Sequence, residues 1–179
     1  MTTRATPSSD PSGTIETDGG LGLTIKAVDP ADHAELYNSF AALVLAGEGY
    51  PQTPGPLEYH DFADYWLLHK SHVAVARASR DQRLAGSYYL RPNFPGRAAH
   101  IANAGYFVVP HLRNRGVGSA LVMHSLDQAR ALGFDAMLFN LVFASNPARR
   151  LYERLGFEVV GRVPAAIDGE DAVIYWRQL

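Results

Sequence analysis

From residue 21 onward the chain alternates short apolar runs with amphipathic stretches, and the two periods separate strands from helices. Leu23-Thr24-Ile25-Lys26-Ala27-Val28 alternates like a half-buried strand, and Asp29-Pro30 then opens a helix to about Leu45, where Gly47 and Gly49 stop it. Prolines and glycines across residues 48–57 forbid regular structure and make this segment a candidate substrate rim. A second helix is predicted over residues 58–70, then a hairpin with strands at 73–76 and 84–90 and its turn at 79–82. After a turn at Asn93-Phe94-Pro95-Gly96, residues 98–109 form a long strand in which Gly105 marks an expected bulge. Val122, Leu126 and Ala129 recur at helical spacing, with Gly133 as the C-cap. Residues 135–143 are almost continuously apolar, as in a strand covered on both faces. A helix around Tyr152 and strands at Val159-Val160 and 172–176 complete the pattern. It predicts an α/β domain over residues 21–179, with a mixed central sheet flanked by helices. Residues 1–20, rich in Thr, Ser, Pro, Gly and Asp, lack the apolar side chains that would offset ordering entropy, so a disordered tail is expected there.

Composition narrows the function. At 179 residues and 47% hydrophobic, the chain has the length of one domain with a sizeable core. A net charge of -2 with dispersed basic residues leaves no electrostatic footprint for nucleic acid. The absence of cysteine excludes disulfides, thiolate metal sites and a cysteine nucleophile. No apolar run is long enough for a membrane span and no signal peptide is evident, so a cytoplasmic location is expected. His69 and His72 have a spacing that can suit a metal on a helix, but a helix end and strand start intervene; surface residues are expected there, and no metal.

The chemistry concentrates in Val108-Val109-Pro110-His111-Leu112-Arg113-Asn114-Arg115-Gly116-Val117-Gly118, a strand running through a basic, glycine-containing turn into a helix. Closely spaced glycines, two arginines and the free N–H groups of a helix start suit a diphosphate. A P-loop would end in Gly-Lys-Ser/Thr, and a dinucleotide fingerprint would need a third glycine where Leu121 stands; both matches are weak. The segment instead resembles the Arg/Gln-x-x-Gly-x-Gly/Ala turn of the GCN5-related N-acetyltransferases. Asn146-Pro147-Ala148-Arg149-Arg150-Leu151-Tyr152-Glu153-Arg154-Leu155-Gly156-Phe157 resembles the family's helix that carries a tyrosine and ends in Leu-Gly-Phe.

This resemblance, over roughly residues 23–177, implies the family's fold and direct attack of an acceptor nitrogen on the thioester of acetyl-coenzyme A as co-substrate. It implies coenzyme contacts at Phe107, Val108, Arg113, Asn114, Arg115, Gly116, Val117, Gly118 and Asn146, unpaired N–H groups for the oxyanion on residues 105–108, and Tyr152 as the acid for the leaving thiolate. Asn103 and Asn140 interrupt apolar strands expected to be neighbours, where each amide either finds a partner or offers neutral donors to a substrate. A narrower resemblance, through Arg91-Pro92-Asn93-Phe94-Pro95-Gly96-Arg97, His100 to Gly105 and Phe139-Asn140-Leu141-Val142-Phe143, is to azetidine-2-carboxylate N-acetyltransferases, which acetylate small proline-like imino acids. It makes Asn103 a catalytic candidate beside the family's Tyr152 and, with Asn140, a substrate contact; the rim residue Tyr50 is the further substrate-contact candidate. One departure is Tyr152, where that subgroup carries tryptophan. Glu48, Tyr50, His60 and His100 are the candidate bases, with a water relay as the alternative. A non-catalytic acyl-coenzyme A-binding module and a protein N-terminal or lysine acetyltransferase are the competing functions. Relatives commonly dimerise through the last strands, so a homodimer is an open option.

Overall fold

A computed structural model describes residues 14–179. Its eight strands are β1 (Thr14–Glu16), β2 (Gly22–Ala27), β3 (His72–Ala78), β4 (Leu84–Pro92), β5 (Ile101–Val108), β6 (Ala136–Phe143), β7 (Glu158–Ile167) and β8 (Glu170–Gln178). The helices are α1 (His33–Leu45), α2 (Tyr59–Phe62), α3 (Val117–Ala131) and α4 (Arg149–Arg154). All eight strands belong to one mixed sheet, ordered β1-β2-β3-β4-β5-β6-β8-β7. Each neighbouring pair is antiparallel except β5 and β6, which run parallel.

That parallel junction shapes the molecule. β5 and β6 pair only at Ile101↔Ala136 and Ala102↔Met137, and beyond Met137 the strands part. β5 stays paired with β4 along its whole length, from Pro92↔Ala102 to Gly86↔Val108. One edge of β5 therefore opens into a cleft between two half-sheets.

Alternation along β4 sends its side chains to opposite layers. Tyr88 reaches His124 of α3 at 2.7 Å, whereas Tyr89 meets Trp66, ring centroids 5.0 Å apart. α1 buries Leu36, Phe40, Leu43 and Val44, a stripe at helical spacing. Phe40 packs on Phe62 and Trp66. Trp66 Nε1 donates to Ser87 Oγ at 3.0 Å, and Ser87 donates to the Ala74 carbonyl at 2.7 Å, so this buried polar pair is satisfied.

Three expectations need correction. The helix predicted over residues 58–70 is shorter: α2 continues into a π turn, Ala63–Leu67, closed by Leu68 N–H on Ala63 O at 2.8 Å. Its widened turn packs both Phe62 and Trp66 against Phe40. The expected tail, residues 1–20, is in part ordered: Thr14–Glu16 pairs with the edge of β2, and Thr17 is buried. The remainder of that tail, residues 1–13, lies outside the described residues. The bulge expected at Gly105 is not there, because the β4–β5 register runs unbroken past it.

Candidate functional site

The turn between β5 and α3 is built to present backbone N–H groups. Gly116 precedes the helix at φ 80° with no side-chain cap, and Asn114 sits at φ 59°. The first helical bond runs from Ala120 N–H to Gly116 O, so the N–H groups of Val117, Gly118 and Ser119 lie ahead of the ladder. Arg113 and Arg115 are exposed on the turn. A Cβ on Gly116 would stand 2.8 Å from Thr17 Cβ, so glycine is required both by φ and by the residue 17–20 turn packed behind it.

β5 supplies the second part. Val109 N–H bonds to Ala85 O and Asn93 N–H to Ile101 O, which fixes the ladder's parity. Odd-numbered residues of β5 direct N–H and C=O to β4, whereas Ala104, Tyr106 and Val108 direct theirs into the cleft. Accordingly, the Tyr106 carbonyl accepts the Tyr50 hydroxyl from the loop after α1. The same loop is tied to the turn by Glu48 Oε2 and Arg113 Nη2, 2.5 Å apart.

Across the cleft, α4 lies against the start of α3, with Leu151 Cδ2 3.9 Å from a Cβ placed on Gly118. Tyr152 of α4 is buried on Phe139 at 4.8 Å between centroids, with Phe157 and Tyr175 nearby. Its hydroxyl makes no hydrogen bond among the described residues. Burial raises its pKa well above the ordinary tyrosine value, with Tyr175 adding to the shift. Tyr50 is also held protonated, by burial first and then by Tyr65, Tyr89 and Tyr152, which face it electrostatically. A ring of phenols therefore borders the cleft.

The family model described as "Acetyltransferase (GNAT) family" matches residues 36–157. The chain belongs to the GNAT acetyltransferase family. A GCN5-related N-acetyltransferase from Kribbella flavida is 32% identical and superposes with a TM-score of 0.81, over 88% of this chain and 98% of that one. A GNAT phosphinothricin acetyltransferase from Sinorhizobium meliloti in complex with acetyl-CoA, 22% identical, shares the fold with a TM-score of 0.76 over 88% of each chain. N-acetyltransferase aca1 of Schizosaccharomyces pombe is 43% identical over 95 residues, which are 51% of this chain and 46% of that protein. Protein SPT10 of Saccharomyces cerevisiae is 31% identical over 87 residues, 48% of this chain and 14% of that protein. The matches thus span less than half the length of these two relatives.

Within this GNAT chain the structure separates the sequence candidates. Val108, Arg113, Asn114, Arg115, Gly116, Val117 and Gly118 form one continuous edge and turn, while Phe107 is buried under Trp66 and can offer a ligand little beyond packing. Asn146 accepts from Ala148 N–H at 2.9 Å, capping the turn before α4 and leaving its Nδ2 free of described partners. Asn103 and Asn140 do not bond each other. Asn103 Nδ2 donates to Leu138 O at 2.9 Å just past the last β5–β6 pair, stitching the fork where the ladder ends. Asn140 exchanges two bonds with Asn93, at 3.0 and 2.6 Å.

The base candidates are largely occupied. Glu48 faces Arg113, Tyr50 donates to Tyr106, exposed His60 pairs with Asp61 at 3.2 Å, and His100 Nδ1 lies 3.1 Å from the Arg97 carbonyl. His72, expected at the surface, is half-buried with Nε2 unpartnered, and burial lowers its pKa, as does His124. Sequence reasoning missed Tyr65 and Tyr89, which continue an aromatic cluster from Tyr50, with ring centroids 6.2 Å apart from Tyr50 to Tyr65 and 6.1 Å from Tyr65 to Tyr89. The signal was Gly105: a Cβ there would stand 2.5 Å from Tyr89 Cε1, so the glycine is a seat for the cross-strand tyrosine.

Proposed function

We propose that this chain is an acetyl-CoA-dependent N-acetyltransferase whose acceptor is a small amine or imino acid, a proline analogue in the first instance. The observation that carries the reading is the single track formed by the open edge of β5, at Ala104, Tyr106 and Val108, and the uncapped N-terminus of α3 flanked by Arg113 and Arg115. The donor set fits the coenzyme. Amides and guanidinium groups suit the diphosphate, and an unpaired strand edge suits the amides of the pantetheine arm. The binding of acetyl-CoA in the Sinorhizobium meliloti structure supports this assignment by similarity of fold.

Acetyl-CoA supplies an activated acetyl thioester, and the acceptor nitrogen forms the new C–N bond as the C–S bond breaks. The N–H groups of Tyr106 and Val108 are positioned to stabilise negative charge on the carbonyl oxygen. Tyr152 gives a proton to the departing sulfur and is reprotonated, through water, by the proton that the acceptor nitrogen loses on acylation, its raised pKa keeping it in the acid form between turnovers. Tyr50, Tyr65 and Tyr89 wall the acceptor end with rings, which favours a small, partly apolar acceptor over a polyamine or a peptide.

The test is release of coenzyme A thiol from acetyl-CoA against azetidine-2-carboxylate, hydroxyprolines, polyamines, aminoglycosides and peptides. Turnover confined to imino acids is the expected result. Turnover of peptides alone would replace the acceptor assignment, and acetyl-CoA binding with no turnover across the panel would favour a binding module.

A further inference from the structure

The acceptor end of the cleft carries two cations that stand outside any ion pair among the described residues. Tyr89, Arg91, Gly105 and Asn103 share one face, because Tyr89 registers with Gly105 and Arg91 with Asn103. Arg91 is exposed, with Cζ 6.0 Å from the Tyr89 ring centroid. Lys70 Nζ stands 5.3 Å from the same ring, bonded to the Asp64 and Leu68 carbonyls at 3.1 and 2.8 Å.

Neither cation forms an ion pair among the described residues, in contrast to Arg77, Arg83, Arg113, Arg130 and Arg162. They also feel each other: the Lys70 pKa is lowered by burial and then by Arg91, against a smaller opposing effect of the Asp64 carboxylate. Two cations meeting at one aromatic ring, neither of them in an ion pair among the described residues, suit an anionic ligand.

Resting on the acceptor class proposed above, we propose that Arg91, with Lys70 behind it, binds the carboxylate of the acceptor, the buried Tyr89 ring serving as the seat that holds the two cations together. Asn103 adjoins the same anchor. Its Oδ1 accepts nothing among the described residues and is available to the acceptor nitrogen or a hydroxyl substituent. Arg91 is then the residue that selects an amino or imino acid over a plain amine, since a guanidinium recognises a carboxylate with two parallel donors.

The experiment compares azetidine-2-carboxylate with azetidine-2-carboxamide on the wild type, Arg91→Gln and Arg91→Lys, with KM for acetyl-CoA and thermal melts as controls. The expected wild type prefers the carboxylate. Arg91→Gln raises KM for the carboxylate about tenfold or more, as for loss of a charged hydrogen bond, and leaves the carboxamide and acetyl-CoA values unchanged. Arg91→Lys restores part of the preference. An unchanged carboxylate-to-carboxamide ratio in Arg91→Gln overturns the anchor while the acceptor class stands. A wild type that turns over neither compound yet acetylates another amine overturns the acceptor class and this anchor with it.

Discussion

Burial of Tyr152 among Phe139, Phe157 and Tyr175 acts on a proton donor in two opposite ways. The raised pKa weakens the phenol as an acid toward a thiolate whose conjugate acid has a reference pKa of about 8.5, but it also keeps the proton in place through alkaline conditions. Tyr152→Phe is therefore expected to lower kcat by about 100-fold with little change in acetyl-CoA binding. Because a raised pKa leaves the group protonated throughout, the ratio of wild-type to variant kcat stays flat between about pH 7 and 10. A ratio that collapses toward one across that range would show Tyr152 titrating and remove it as the acid. The residue was legible from its place before Leu155-Gly156-Phe157, and Asn103 from being polar inside an apolar strand. Their partners were not legible, because the Leu138 carbonyl meets Asn103, and Phe139 and Tyr175 meet Tyr152, only once the distant strands are assembled.

The loop after α1 joins two parts of the site, through Glu48 on Arg113 and Tyr50 on the Tyr106 carbonyl. Glu48 occupies a guanidinium assigned to the coenzyme diphosphate, so binding must exchange one anion for another. Both side chains are close to half exposed, which limits the pair to roughly 0.2–1 kcal/mol. Glu48→Gln should accordingly tighten acetyl-CoA by about two- to fivefold at low salt, an advantage that shrinks as salt screens the pair. Isothermal titration at two salt concentrations measures this, and unchanged or weaker binding would mean that Glu48 does not compete. At this scale the glycine-rich loop and the turn into α3 were readable, because proline, glycine and arginine act locally. The order of residues 14–16 was not, since a polar segment gains its place from the unpaired edge of β2. Gly105 was misread for a similar reason: strand glycines mark either a bulge or a close neighbour, and only the fold shows Tyr89 lying on it.

The two halves of the sheet meet through two register pairs, the Asn103–Leu138 bond, the reciprocal Asn93–Asn140 pair and the packing of Tyr106 on Phe139. The remaining elements of the cleft come from both sides: β5 and the start of α3 from one, Tyr152 and Asn146 from the other. A coenzyme lying along β5 and reaching α4 touches both, so its binding energy is added to the cohesion of this seam. At a free concentration of 100 times Kd, linkage gives about 2.7 kcal/mol of stabilisation, whatever the seam's own strength. For a chain of this size, that corresponds to a rise in melting temperature of roughly 5–11 °C. What the seam adds is localisation: slowed amide exchange should concentrate in β5, β6 and the first turn of α3, and leave β2 and β3 little changed. Gly116→Ala, strained at φ 80° and crowded by Thr17, should lose most of the shift, whereas Tyr152→Phe should keep it. Protection spread evenly over the sheet would mean that coenzyme stabilises the chain without bridging its halves, and a shift below about 1 °C at that saturation would mean that it does not bind the native state as proposed.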